Sequence, residues 1–101
     1  MTYCMLSLDL ANADDEQRTN FYAVLEADDW VKLADVDTVW QKRFNDTFIR
    51  PSVQRRIITA LESAADRARI KLVTFAAQIG NNPASTGRTV KVVGGFETSF
   101  N

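Results

Sequence analysis

The sequence predicts an α+β sandwich made of one sheet and two helices. Three observations carry that expectation: strict alternation in "YCMLSLDL" (residues 3–10), helical spacing of apolar residues in "RPSVQRRIITALESAADRA" (residues 50–68), and the order in which strand and helix textures follow one another. The chain of 101 residues suits one domain, long enough to bury about 60 to 65% of its unfolded surface in a single core. Hydrophobic residues make up 46% and charged residues 25%, which matches folded globular chains rather than disordered ones.

In the first segment Cys4, Leu6, Leu8 and Leu10 fall on one strand face and Tyr3, Met5, Ser7 and Asp9 on the other. "NADDEQ" then reads as a helix start, because Asn12 or Asp14 can cap free N–H groups and the acids suit the positive end of the helix dipole. Phe21, Val24 and Leu25 give that helix, residues 14–27, its buried stripe. "WVKLA" and "TVWQKRF", separated by the turn "DVD", have the β-branched and aromatic content of a hairpin. The second helix places Pro51 in its first turn and aligns Val53, Ile57, Ala60, Leu61 and Ala64. "RIKLVTFAAQI" returns to strand texture, "GNNPASTG" reads as a loop, and "RTVKVVGGF" as a further strand broken by Gly94 and Gly95.

The order is therefore β, α, β, β, α, β with a tail. Right-handed crossovers place the first and third strands at the centre and both helices on one face. That is a ferredoxin-like βαββαβ sandwich over residues 1–80, followed by a loop and an additional C-terminal strand in residues 81–101. Asp9 then lies on the open face, with Tyr3, Met5 and one side of "TVWQKRF". A face so apolar calls for a cover, and the expected dimer-interface residues are Tyr3, Met5, Trp40, Val90 and Val92. The loop is long enough for the last strand to reach either an edge of its own sheet or that of a partner, and the partner's edge is the favoured arrangement.

Composition excludes several chemistries. One cysteine rules out an intramolecular disulfide, and the absence of histidine rules out imidazole bases and the usual zinc sets. A net charge of −1 means that any phosphate-binding surface must be local. No apolar run approaches a membrane span and no secretory leader is recognisable, so the expected location is cytoplasmic. "NDT" at Asn45 matches a glycosylation acceptor only formally.

"SLDLAN", a strand ending in an apolar-x-Asp pattern before a polar turn, and "DVDTVW", a hydroxyl-bearing approach to an aliphatic–aromatic pair, resemble the corresponding strands of a known superfamily. It comprises the small dimeric CRISPR-associated endonucleases of the spacer-acquisition complex, the VapD-type toxins and the short SinR-like proteins. The resemblance implies a homodimer in which two Asp9 carboxylates hold magnesium for the cleavage of RNA. Such a site is physically coherent, since a divalent cation relieves two adjacent carboxylates. Read from the residues alone, Asp9 is in the first place an ordinary strand-end aspartate bonded to its own turn, since a lone Asp before a helix is common in such folds, and Asp14, Asp15 and Glu16 would repel phosphate.

Lys42, Arg43 and Arg50 are the candidate nucleic-acid contacts, provided that they line one rim. The other basic residues of the second helix read as a solvated face with charge pairs. RNA-recognition modules share this element order, but the glycine-punctuated aromatic signature is absent from "TVWQKRF". "IGNNPASTGR" lacks the ending of a phosphate loop. The alternative function is a non-catalytic protein-binding module, antitoxin-like or a phage-encoded inhibitor, presenting an acidic helix edge to a protein partner.

Overall fold

The computed structural model describes residues 2–33, 38–45, 50–80 and 85–100. The elements are β1 (Thr2–Leu10), α1 (Asp15–Ala27), β2 (Val31–Lys32), β3 (Val39–Phe44), α2 (Arg50–Ala68), β4 (Leu72–Ile79), β5 (Ser85–Val92) and β6 (Gly95–Phe100). The six strands form one sheet in the order β2-β3-β1-β4-β5-β6, antiparallel throughout. β1 and β3 are neighbours, as the crossover argument requires.

Alternation in β1 and β4 decides which side is covered. Cys4, Leu6, Leu8 and Leu10 are buried with Val73, Phe75, Ala77 and Ile79, in one core that also contains Phe21 and Leu25 of α1 and Val53, Ile57 and Leu61 of α2. Both helices therefore lie on the same side of the sheet, and Tyr3, Met5, Ser7 and Asp9 point away from them into solvent. Among the described residues no helix is long and apolar enough to cross a membrane.

Local chemistry sets the helix limits. Asp14 caps α1 by accepting a hydrogen bond from the Gln17 N–H at 2.8 Å, while the Asp14 N–H donates to Gln17 Oε1 at 3.0 Å. The Gln17 amide also donates to the Arg69 carbonyl at 3.0 Å, tying the start of α1 to the end of α2. Both helices end the same way. Trp30 N–H donates to Leu25 O and Asp29 N–H to Glu26 O, and Ile70 and Arg69 repeat this with Ala65 and Asp66, the pattern of a Schellman motif. Asp29 (φ 67°) and Arg69 (φ 58°) occupy the left-handed position normally given to glycine. The residue after each, Trp30 or Ile70, is buried at the helix end.

Two expectations need correction. Trp30 belongs to the α1 terminus, and the strand within "WVKLA" is only Val31–Lys32, while the turn "DVD" lies outside the described residues. The tail differs more. Residues 85–87 are already strand, and β5 pairs with β4 of its own chain from Leu72↔Val90 to Ala77↔Ser85. The chain turns at Val93 and Gly94, where Gly94 has φ 87°, and returns as β6 along β5. Two strands of the chain's own sheet thus replace the single strand expected to pair with a partner. Phe96 and Phe100 pack onto the chain's own core, where Phe100 meets Phe75 edge to face at 5.1 Å. β4 has its own neighbour because Gly87 leaves room for the Phe75 ring beneath β5.

Candidate functional site

Register maps the open face directly. One row across the sheet is Val31–Gln41–Met5–Gln78, the next holds Val39–Ser7–Ala76, and the next Asp9–Thr74–Arg88–Ser99. Beyond it lie Leu72–Val90–Glu97. Asp9 and Arg88 therefore flank Thr74 on its two sides, two strand spacings apart, or roughly 10 Å. This polar row divides an apolar area around Tyr3, Met5, Val31 and Val39 from another made of Leu72, Val90 and Val92. Tyr3 is 46% exposed, Met5 42%, Val31 65% and Val92 37%. Met5, Ser7, Val39, Ala76 and Gln78 form a shallow hollow across β3, β1 and β4.

The expected interface residues separate on this map. Tyr3, Met5, Val90 and Val92 do lie on the open face, with Val90 half-buried. Trp40 does not: it pairs with Leu6, is 1% exposed and stacks on Tyr22 at 5.1 Å within the helix layer. Among the described residues its indole N–H has no acceptor. Strand parity explains the difference, because Trp40 shares the buried face with Phe44, whereas Val39 and Gln41 share the open one.

The expected basic rim is not assembled. Lys42 and Arg43 are consecutive in β3 and so point to opposite faces. The Lys42 ammonium is drawn into the helix side, 3.2 Å from Asp28 Oδ2, donating to the Asp28 carbonyl at 2.5 Å and lying 5.4 Å from the centre of the Phe44 ring. Asp28 also accepts from Trp30 Nε1 at 3.2 Å, so this ion pair fastens the end of α1 to β3. Arg43 is exposed beside Tyr3 on the open face, and Arg50 opens α2, half-buried.

Basic residues gather elsewhere, at the end of the sheet where β1 finishes. Arg69, Lys71 and Lys91 line a cavity of about 170 Å³ with Asp66, Ile70 and Phe96. Lys91 Nζ stands 4.9 Å from the centre of the Phe96 ring, and the Lys91 N–H donates to Lys71 O at 2.7 Å. Lys91 and Phe96 meet only because β5 and β6 form a hairpin, which the single broken strand expected for the tail does not provide. A larger, open concavity of about 480 Å³ separates the start of α1 from the end of α2, lined by Asp14, Glu16, Gln17, Asn20, Arg67 and Arg69. Mixed charge at this end of the molecule gives neither a basic nor an acidic rim around Asp9.

Asp9 itself is exposed, and among the described residues its side chain makes no hydrogen bond or ion pair. The turn that follows, with Asn12 at φ 55°, closes through the Ala13 N–H to Leu10 O at 3.3 Å and Ala11 N–H to Leu72 O at 3.1 Å. The carboxylate is thus not used to hold its own turn, as an ordinary strand-end aspartate would be. Among the described residues no three acidic, cysteine or histidine side chains stand together as a ready metal site. Cys4 is buried and its thiol pKa is pushed up to about 12 by desolvation, which makes it unreactive. The chain shows no significant match to any protein-family model, curated protein or solved structure.

Proposed function

We propose that the chain is a ferredoxin-like homodimeric module, of the kind found among the CRISPR-associated small endonucleases and VapD-type proteins, whose open sheet face is covered by a second copy. The carrying observation is that face: six strands wide, with no helix of the described residues over it, and with Tyr3, Met5, Val31 and Val92 exposed. Its projected area is about 600 Å² by strand spacing and rise. That is close to the roughly 800 Å² per partner of a standard interface. Light scattering at micromolar concentration tests the reading. A dimer mass is expected, and a monomer mass throughout that range would refute it.

A second reading, the magnesium-dependent endoribonuclease, is favoured by one feature: an exposed carboxylate that its own turn leaves unused. One Asp9 per chain is too few to hold the ion, so both copies would have to contribute, with water completing the shell. The metal would supply a polarised water near the scissile phosphate. Arg88 is the cation that the row of Asp9 offers to an RNA backbone, whereas Lys71 and Lys91 share the parity of Val73 and Thr89 on the helix side. Cleavage of single-stranded RNA that requires magnesium and is lost in Asp9→Asn, with the dimer intact, would support it. The absence of wild-type cleavage across RNA and DNA substrates would leave the non-catalytic module, binding a protein partner.

A further inference from the structure

Asp9 and Arg88 share a row of the open face, symmetrically placed about Thr74. Both are exposed, and neither has a hydrogen bond or an ion pair among the described residues. A two-fold axis relating two packed sheet faces lies between them, parallel to the sheets. It sets each residue opposite the position mirrored across the axis. An axis running along β4 over Thr74 therefore places Asp9 of each copy against the other copy's Arg88, and closes two such contacts at once. An axis running along the row instead sets Asp9 against Asp9 and Arg88 against Arg88.

We infer that the second copy is bound with its axis along β4, so that two reciprocal Asp9–Arg88 ion pairs fix the register of the dimer. This rests on the homodimer reading above and adds to it the partner of the unused carboxylate. Charge decides between the two axes. Opposite charges meet in the first, whereas the second juxtaposes two acids and two guanidinium groups, each an unfavourable contact as it is desolvated. The first axis also stacks the small side chains of Thr74 and Ala76 on their own copies, where the sheets can approach closely. In that arrangement Asp9 carries no metal, because an arginine neutralises it.

The hairpin is what creates this complementarity. Without β5 the row would end at Thr74, and the face would present an acid with no cation beside it. Glu97 lies diagonal to Arg88 on β6 and is the in-chain competitor for its guanidinium.

Charge reversal tests the pairing, with mass and dissociation constant read by analytical ultracentrifugation in the presence of a chelator. Asp9→Arg alone and Arg88→Asp alone should each weaken dimerisation by roughly 100-fold or more. The double reversal should restore it to within about tenfold of wild type, and mixing the two single variants should give a heterodimer, which also shows that both are folded. Glu97→Gln should leave the dimer unchanged. Wild type that is itself monomeric would remove the homodimer reading. A wild-type dimer that tolerates both single reversals would overturn the reciprocal pairs alone and leave the homodimer reading standing.

Discussion

Gly87 is the position where a single methyl group has the clearest cost. It sits in β5, buried, and a Cβ built there would lie 2.4 Å from the Ser99 carbonyl oxygen and 2.6 Å from Cζ of Phe75. Neither neighbour can yield easily. The carbonyl belongs to the β6 strand paired with β5, and the Phe75 ring is 2% exposed and held edge to face by Phe100. Overpacking of this kind costs about 1–3 kcal/mol. Against it stands the gain of about 0.4–1 kcal/mol that alanine brings by restricting the unfolded chain. The clash is the larger effect, so Gly87→Ala should lose roughly 1–2 kcal/mol. Urea unfolding should show a lower midpoint with an unchanged slope. Equal or higher stability would mean that Phe75 does not lie under β5, and the β4–β5–β6 register would have to be redrawn.

The two helix ends should respond in the opposite direction. Asp29→Gly and Arg69→Gly relieve the left-handed backbone at φ 67° and 58°, and each should raise stability by about 0.5–1 kcal/mol in urea titrations. Asp14→Ala removes the cap on α1 and should cost about 1 kcal/mol, read as a lower melting temperature. Cys4 gives a pH signature. Its thiol, ordinarily titrating near 9.0, is held protonated in the fold up to about 12 by burial, so above pH 9 the unfolded chain loses a proton that the native one keeps. Stability should therefore be flat in this contribution below pH 9 and fall as pH rises toward 12, and Cys4→Ala should lack that slope.

The parts of the fold that depend on near neighbours were legible in the sequence. Alternation in "YCMLSLDL" and the stripe from Val53 to Ala64 assign the buried faces correctly, because burial in these segments follows the period of the backbone. The tail was not legible for the same reason that strand register rarely is. Gly94 and Gly95 mark a break, but only the pairing of Val92 with Gly95 and of Gly87 with Phe100 shows that the break is a hairpin tip. Gly87 falls in a run of turn-forming residues, so its role as the space for a phenylalanine ring depends on a contact from Phe75, twelve positions earlier. Trp40 was misassigned because "TVWQKRF" carries apolar residues on both faces, and only the register with Leu6 decides which face is buried.

The candidate site follows from that same distinction. Asp9 stands out in the sequence as a carboxylate closing an apolar strand, and among the described residues the strand's own turn leaves it unused, contrary to the ordinary strand-end reading. Arg88, by contrast, is inconspicuous there, one basic residue beside a loop-like stretch. It becomes relevant only when β5 docks on β4 with Thr74 opposite Arg88 and Asp9 opposite Thr74. A residue slip of one position in either ladder would turn Arg88 toward the helices and leave Asp9 alone on its face. The chemistry assigned to Asp9 therefore depends on the register of a strand that begins 76 residues later. The Gly87→Ala measurement that checks this register is also the first check on the ion pair.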